Sequence, residues 1–283
     1  MIELKKEYPL FGTKIDVVIY VEDSFLGEDI LEEIYSEAKK LQKIFNFYDS
    51  KSELSKLNEQ REIMASNHMI HVLKKAIVFS EYTSGKYDVT QGKRILARKK
   101  GEKLPDTNCF YKDINFKGNK VTLLNKDVLI DLGSLAKGYI TDVLVDLLKE
   151  KGLKNGFIDS RGDMITFGEI GETIGIQHPR NQSQKITEFY IKDKAVATSG
   201  DYNQYYNNYE QSHIVGKKQT ISATVLCETL EDADVIATCL MLLNRAQQQE
   251  FLKKVNCSAI IINEEEGLLT KTITNDLDVA VTL

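Results

Sequence analysis

A glycine-containing turn between a predicted buried strand and a predicted helix is the feature that most constrains this sequence. Residues 127–131 have an apolar strand pattern, and the turn at 131–138 contains Gly133 and Gly138. The next segment, residues 139–151, carries apolar residues at helical spacing, namely Ile140, Val143, Leu144, Leu147 and Leu148. The chain is therefore predicted to pass from a strand directly into a helix N-terminus.

A junction of this kind can bind phosphate. The first turn of a helix has unpaired backbone N–H groups and the positive end of the helix dipole, and both favour an anion. Lys137 adds a cation at the same place. Glycines at strand-to-helix turns also serve backbone geometry alone. The turn by itself is therefore compatible with a structural role or with phosphate binding.

Length and composition indicate a globular protein. The 283 residues can bury a large core, either as one large domain or as two closely packed lobes, and we favour two lobes. Hydrophobic residues make up 42% of the chain, which is typical of a soluble protein. The net charge of −5 argues against nucleic acid or an anionic membrane as a partner.

Several features predict a cytoplasmic location without membrane insertion. The N-terminus begins a strand pattern and has no apolar signal core, and no later run approaches a membrane span. The four cysteines lie far apart, without metal-ligand spacing. We interpret them as small buried residues of a reducing compartment; they are Cys109, Cys227, Cys239 and Cys257.

Positive charge is concentrated in residues 93–103. The cations there are Lys93, Arg94, Arg98, Lys99, Lys100 and Lys103. A charge run of this kind is typical of a solvated loop or helix face, and contact with a nucleotide phosphate is the alternative.

The remaining periodicities predict helices and strands that together make an α+β protein. Helices are predicted at 26–47, 66–84, 139–151 and 228–243. Two strands joined through a bend at Gly12 are predicted within residues 1–21. Further strands are predicted at 114–116, 121–124, 156–159, 165–167, 174–177, 186–191, 221–225, 258–262 and 268–274, the first two as a hairpin.

Asp234 and Thr238 are candidate metal ligands. They are four residues apart on the predicted helix 228–243, so a carboxylate and a hydroxyl project from one helical face. Hard oxygen ligands suit Mg²⁺, which often bridges to substrate phosphates. A polar helix surface is the alternative interpretation of this pair.

Among the four histidines, His213 is the candidate general base. It stands between the tyrosine-rich residues 202–209 and a strand pattern, where an imidazole can be held at a cleft edge. A structural histidine is the alternative. His68, His71 and His178 have no acidic or cysteine companion at ligand spacing, so we expect surface or structural roles for them.

Taken together, eight segments resemble motifs of the ApbE-type family, the FAD:protein FMN transferases, also called thiamine-biosynthesis lipoproteins. They occur in the family's order and span nearly the whole chain. The segments are residues 11–13, 48–58, 85–90, 131–139, 161–163, 197–202, 212–214 and 233–238. The resemblance implies one α+β domain over residues 1–283, possibly with two interwoven lobes of mostly antiparallel sheet flanked by helices. FAD is expected in the cleft between the lobes.

The resemblance also implies a reaction. Members bind FAD with Mg²⁺ and transfer the FMN half to a Thr or Ser hydroxyl of an acceptor protein, releasing AMP and leaving a phosphoester-linked flavin. Some members instead hydrolyse FAD. A Mg²⁺ ion that bridges the pyrophosphate, with Mn²⁺ as a possible substitute, would neutralise charge on the leaving group.

Positions that match the family's motifs receive roles by the same resemblance. The implied metal ligands are the side chains of Asp234 and Thr238 and the backbone carbonyl of Ala136, and the implied base is His213. The residues implied to line the FAD site are Phe11, Tyr48, Lys86, Tyr87, Asp88, Gly133, Tyr139 and Val215.

The sequence departs from the family pattern in three places. The family's Asp-Pro-x-Thr-Gly after the histidine motif is replaced by residues 216–220, Gly-Lys-Lys-Gln-Thr. The usual Gly-Gly-Asp is Arg-Gly-Asp at 161–163, and the basic stretch replaces a Trp-containing segment. An FAD pyrophosphatase and a non-catalytic FAD-binding protein therefore remain alternatives to a transferase that modifies a cytoplasmic acceptor protein.

Overall fold

The first two strands form a hairpin at one edge of the largest sheet. The computed structural model describes residues 1–202 and 220–274, and in it β1 (Ile2–Leu10) pairs antiparallel with β2 (Thr13–Val21). Phe11 and Gly12 have φ angles of 56° and 70°, so both take the left-handed conformation that reverses the chain. The two strands predicted around a glycine bend are confirmed.

Three antiparallel sheets form within residues 1–202 and 220–274. The further strands are β3 (Glu62–Met64), β4 (Ile114–Lys117), β5 (Lys120–Leu123), β6 (Gly156–Ser160), β7 (Asp163–Phe167), β8 (Glu172–His178), β9 (Asn181–Ile191), β10 (Ala195–Gly200), β11 (Thr220–Cys227), β12 (Ser258–Glu265) and β13 (Leu268–Ile273). An eight-stranded sheet has the order β1-β2-β6-β7-β10-β11-β12-β13, a three-stranded sheet the order β3-β5-β4, and β8 and β9 form a two-stranded ribbon. The expected antiparallel sheet is confirmed.

Helices flank these sheets. They are α1 (Ser24–Phe45), α2 (Glu53–Gln60), α3 (Asn67–Tyr82), α4 (Gly92–Lys99), α5 (Ala136–Glu150), α6 (Leu230–Leu242) and α7 (Arg245–Leu252). Polar N-caps set several helix starts, because the side chains of Asp23, Ser52, Ser66 and Thr229 accept hydrogen bonds from backbone amides. The four predicted helices correspond to α1, α3, α5 and α6, and the basic stretch begins with α4.

The large sheet has an apolar core on each face. Successive side chains of a strand point to opposite faces, so Ala195 and Ala197 of β10 pack with α6, whereas Val196 packs with the β8–β9 ribbon. Helix α6 is buried along most of its length. The division of the chain into two lobes stays a prediction.

Residues 127–131 correct one prediction. They do not form a ladder strand; the backbone makes one parallel bridge, between Gln91 and Leu129. The side chain of Asn58 bonds to both backbone groups of Ile130, with its Nδ2 at 2.9 Å from the carbonyl oxygen and its Oδ1 at 2.7 Å from the amide nitrogen. The apolar pattern was real, since Val128 and Ile130 are buried, but side chains and a loop satisfy the backbone there.

The prediction of small buried cysteines is confirmed. All four cysteines are buried free thiols. Cys227 ends β11 and Cys257 immediately precedes β12, and interaction between the two thiols, together with burial, raises the pKa of Cys227. In residues 1–202 and 220–274, the helices are too short or too polar to cross a membrane.

Candidate functional site

A cavity of about 1350 Å³ is the candidate functional site. Its walls come from segments distant in sequence: the α1–α2 loop, the turn at 85–91, helix α4, the turn at 131–137, the β6–β7 hairpin, β8, β10 and α6. Seven of the eight motif segments contribute to this lining, and the eighth, residues 212–214, lies outside the described residues.

The turn at 131–137 forms one wall of the cavity. The Asp131 carboxylate accepts a hydrogen bond from the amide of Gly133 at 2.8 Å, which closes a local turn. Helix α5 then begins at Ala136, three residues earlier than its apolar periodicity indicates, and its N-cap residue Leu135 provides no side-chain cap. The predicted helix N-terminus at the cavity is confirmed.

Two contacts from α5 place helix α6 beside this turn. A Cβ atom at Gly138 would lie 2.6 Å from the carbonyl oxygen of Leu230, so only glycine allows the two helices to approach this closely. The Asp142 carboxylate accepts hydrogen bonds from the amides of Leu230 and Glu231, both at 2.8 Å. Asp142 therefore satisfies free amides at the first turn of α6.

The predicted metal ligands lie on the buried helix α6 and face the cavity. Asp234 and Thr238 both line it, as does Ala136 from the opposite turn. The Thr238 hydroxyl donates to the carbonyl oxygen of Asp234 at 3.1 Å and lies 3.2 Å from the Ser199 hydroxyl oxygen. The spacing of Asp234 and Thr238 thus brings their oxygens to one site, as predicted from helical geometry.

Lys137 and Asp163 add charge to this site. The Lys137 ammonium forms an ion pair with the Asp163 carboxylate, whose other oxygen accepts a hydrogen bond from the amide of Thr198 at 3.1 Å. Burial lowers the pKa of Lys137, but attraction by Asp163 and Asp234 outweighs burial and leaves that pKa above its ordinary value. Lys137 is therefore a cation at neutral pH.

Asp234 is an unusual carboxylate because one oxygen lacks a partner. Its Oδ2 atom is buried and has no hydrogen-bond partner among the described residues. Burial raises the pKa of Asp234 to about 7, against the opposing attraction of Lys137, and repulsion from Asp163 adds to the rise. A buried carboxylate with a free oxygen favours a cation, so these residues fit the implied metal.

The ligand set for a cation here contains few acids. Among residues 1–202 and 220–274, no three His, Cys, Asp or Glu side chains cluster in a ligand arrangement. A metal would depend on one carboxylate, a hydroxyl and a backbone carbonyl, and would have open positions. This arrangement suits Mg²⁺, which retains waters and binds substrate phosphates.

The turn at 86–88 supplies three cavity residues with different roles. Tyr87 is buried, and its hydroxyl lies 2.9 Å from the Ser134 hydroxyl. Asp88 is buried and accepts hydrogen bonds from the Thr90 amide at 2.9 Å and from the Tyr111 amide at 2.9 Å, so it holds the turn together. Lys86 is exposed at the cavity surface.

Phe11, Tyr48 and Gly133, which the resemblance implies for the FAD site, also line the cavity. The left-handed conformation at Phe11 is accompanied by a hydrogen bond from its amide to the Gln42 side chain at 3.2 Å. Tyr48 is 73% exposed. An exposed ring at the edge of a cavity is available to stack on a flat ligand.

Tyr139 does not line the cavity. Its ring stacks on His71 with centroids 4.8 Å apart, and its hydroxyl oxygen lies 2.6 Å from Nδ1 of His68. The Tyr139 side chain therefore lies against α3, the helix that carries both histidines. His213 and Val215 lie outside the described residues.

Sequence reasoning left the role of the basic stretch open and gave no role to Asp163, Asp142 or Gly138. Arg94 and Lys99 of α4 line the cavity, and Lys99 Nζ lies 3.3 Å from the Tyr48 hydroxyl oxygen. The concentration of positive charge in residues 93–103 was the sequence signal for Arg94 and Lys99. Asp163 belongs to the motif segment 161–163, but no local pattern indicates its contact with Lys137, and none marks Asp142, because the partners of both are far away in sequence.

Comparisons with known proteins find relatives of this chain. The family model described as the ApbE family matches residues 11–261. A protein of Vibrio cholerae serotype O1 named FAD:protein FMN transferase is 28% identical, with 69% of this chain and 68% of that protein covered. A protein of the same name from Haemophilus influenzae is 27% identical, with 90% of this chain and 85% of that protein covered.

A solved structure shares the fold. The flavinyl transferase ApbE of Pseudomonas stutzeri, in its apo form, superimposes with a TM-score of 0.83 at 19% identity, over 98% of this chain and 96% of that chain. The likeness confirms the α+β fold that the resemblance implied.

Proposed function

The chain belongs to the ApbE family, and from this premise we propose that it is an FAD:protein FMN transferase. The reaction attaches FMN from FAD to a Thr or Ser hydroxyl of an acceptor protein through a phosphoester and releases AMP. The observation that carries the proposal is the buried, unpartnered oxygen of Asp234 beside Thr238 in a cavity of about 1350 Å³. That volume exceeds the usual range for small ligands, roughly 300–1,000 Å³, as a dinucleotide requires.

Asp234, Thr238 and the carbonyl of Ala136 would hold the metal, which we propose is Mg²⁺ with Mn²⁺ as the alternative. When bound, the ion would neutralise charge on the FAD pyrophosphate and on the AMP leaving group. Lys137 lies beside Asp234 as a partly buried cation, which favours the pyrophosphate at the same end of the cavity. The ion pair with Asp163 fixes the orientation of Lys137.

The flavin and adenine rings would use the aromatic side chains at the cavity. Tyr48 offers an exposed face, Tyr87 is fixed through Ser134, and Phe11 is held in an unusual backbone conformation. Planar heteroaromatic rings stack on such side chains. Lys86, Asp88 and Gly133 would complete this wall.

The acceptor hydroxyl must lose its proton as its oxygen attacks the phosphorus atom of the FMN half. We assign this proton transfer to His213 on the basis of its sequence motif. Imidazole is suited to the task because its ordinary pKa lies near neutral pH. The phosphorus–oxygen bond to AMP breaks as the bond to the acceptor oxygen forms.

Water could replace the acceptor hydroxyl. Residues 216–220, after the histidine motif, differ from the family pattern, and this difference makes FAD hydrolysis the second candidate function. Both reactions release AMP, and only transfer adds mass to a protein. A chain that binds FAD without releasing AMP would be a flavin-binding protein.

The deciding experiment is incubation of the purified protein with FAD and Mg²⁺, with and without a domain bearing a Thr acceptor motif. AMP release and the mass of the acceptor are followed together. An FMN-sized gain on the acceptor is expected. AMP without that gain would indicate hydrolysis, and neither signal in the presence of bound FAD would refute an enzymatic function.

A further inference from the structure

Five cations on and after helix α4 form what we call the basic strip: Arg94, Arg98, Lys99, Lys100 and Lys103. Residues 93–103 contain six cations and one acid, in a chain whose net charge is −5. Lys93 pairs with Asp127 at 3.3 Å. None of the five strip residues forms a salt bridge within residues 1–202 and 220–274.

The strip does not stabilise its own helix well. Arg94 and Arg98 are one turn apart on α4, and like charges at this spacing are unfavourable. Their Nε atoms are buried and have no hydrogen-bond partner in the described part of the chain. A buried donor without a partner costs free energy, so internal stability does not explain these arginines. Cations in the last turn favour the helix dipole, which accounts for Arg98 and Lys99 only in part.

The strip begins at the cavity and continues away from it. Arg94 and Lys99 line the cavity, whereas Arg98, Lys100 and Lys103 do not, and the two lysines are exposed. These outer cations therefore lie beyond the wall that a ligand inside the cavity contacts.

Exposed aromatic rings accompany the strip at the cavity. Tyr48 is 73% exposed and Phe110 is 41% exposed, and both line the cavity. Lys99 Nζ lies 5.9 Å from the centroid of the Tyr48 ring, which joins the strip to this rim. Aromatic side chains and arginine are enriched in protein–protein interfaces.

We propose that the basic strip docks an acidic segment of the acceptor protein and delivers its hydroxyl to the cavity. The inference rests on the proposed function, because a protein acceptor must reach FAD through the cavity rim. An acidic segment would be repelled by the net negative charge of the rest of the chain and attracted by the strip, which steers the encounter. Arg98 and the exposed Lys100 and Lys103, which do not line the cavity, would gain carboxylate partners.

A pair of labelled peptides tests the inference. One has a central Thr flanked by Glu residues, and the other has Gln in place of every Glu. Binding to the FAD-loaded full chain with Mg²⁺ is measured by fluorescence anisotropy at low and high salt. The double variant Lys100→Gln/Lys103→Gln removes two exposed cations outside the cavity. The matched control Lys117→Gln/Lys154→Gln removes two exposed lysines that form no salt bridge in the described residues and do not line the cavity.

The acidic peptide is expected to bind the wild type about tenfold more tightly than the Gln peptide, with the difference reduced by salt. The strip variant should lose about fivefold in affinity for the acidic peptide. The control should remain within about twofold of the wild type, because its lysines are elsewhere.

Three results would overturn the docking assignment: equal or absent binding of the two peptides, equal binding by the strip variant and the wild type, or weaker FAD binding by the strip variant. Strip-dependent binding to phosphatidylserine vesicles or DNA, without binding of the acidic peptide, would also overturn it. AMP release from FAD is measured separately on the same proteins, so failure of the proposed enzymatic function is distinguished from failure of the docking surface.

Discussion

Gly138 and Leu230 bring the two helices of the site into contact, because a side chain at Gly138 would meet the Leu230 carbonyl oxygen at 2.6 Å. Gly138 belongs to the turn that supplies Ala136, and Leu230 begins the helix that carries Asp234 and Thr238. The distance from Ala136 to Asp234 and Thr238 therefore depends on the absence of a side chain at Gly138.

Gly138→Ala is expected to push α6 away from α5. The clash is with backbone atoms, which cannot rotate away, so we expect a loss of about 1–3 kcal/mol in the free energy of unfolding despite the better helix propensity of alanine. Mg²⁺ affinity should fall as well. Urea unfolding and metal titration measure the two effects. Asp146→Ala, on the exposed face of α5, is the control. If Gly138→Ala is more stable than the wild type, α5 and α6 can separate without cost, and the close contact at Gly138 is not required.

Asp142→Asn is expected to change the pH dependence of stability. Burial raises the pKa of Asp142 from 3.8 to about 7, although amides of Glu231 and Leu230 donate to it and oppose the rise. An acid whose pKa is raised by folding destabilises the fold when it ionises. The free energy of unfolding of the wild type should therefore fall relative to the variant as pH rises from about 4 to about 7, and then stay level.

The size of this difference is on the order of a few kcal/mol. Urea denaturation of both proteins at several pH values measures it. A constant difference in the free energy of unfolding across this range would contradict the raised pKa of Asp142. The effect of the substitution would then come only from altered hydrogen bonds to the amides of Leu230 and Glu231.

Asp234→Asn tests the metal site. Loss of the carboxylate charge is expected to reduce Mg²⁺-dependent AMP release by about 100-fold or more. Without metal, the variant should be more stable than the wild type at pH 8, because burial of the ionised Asp234 carboxylate and its repulsion by Asp163 outweigh its attraction to Lys137. Asp232→Asn, on the same helix but paired with Lys75 at 2.7 Å, is the control for activity. Equal Mg²⁺ dependence in both variants would remove Asp234 from the metal site.

Arg94→Gln is expected to weaken FAD binding by about tenfold. The Arg94 guanidinium lines the cavity and has no carboxylate partner in the described residues, so an anionic or carbonyl group of FAD would supply one. Quenching of flavin fluorescence gives the affinity. Arg98→Gln, whose side chain does not line the cavity, should bind FAD as the wild type does. Identical FAD affinities for all three proteins would exclude contact between Arg94 and the dinucleotide.

His213→Ala separates catalysis from binding. If His213 is the base, transfer to the acceptor should fall by about 10²–10⁴-fold with FAD affinity retained. The pH dependence of the remaining rate should lose the limb contributed by the imidazole. Wild-type transfer rates in this variant would require another base.

Local sequence patterns predicted the parts of this protein that depend on near neighbours. The β1–β2 hairpin follows from strand periodicity and a glycine bend, and α5 and α6 follow from helical periodicity. Asp234 and Thr238 share a helical face because they are four residues apart. Periodicity failed at residues 127–131, where the apolar pattern indicates burial but cannot specify which groups bond to the backbone.

Tertiary structure decided every relationship between distant residues. Lys137 meets Asp163, 26 residues away, and Asp142 caps a helix 88 residues further along the chain. Tyr139 belongs to a cavity motif in sequence but contacts His68 and His71 instead. Sequence by itself determined the family, the chemistry of the donor atoms and most elements, because these depend on residue type and short-range spacing. The packing of α5 and α6 on each other and on β7 and β10 decided the charges and separations at the site, because they depend on which distant groups the fold brings together.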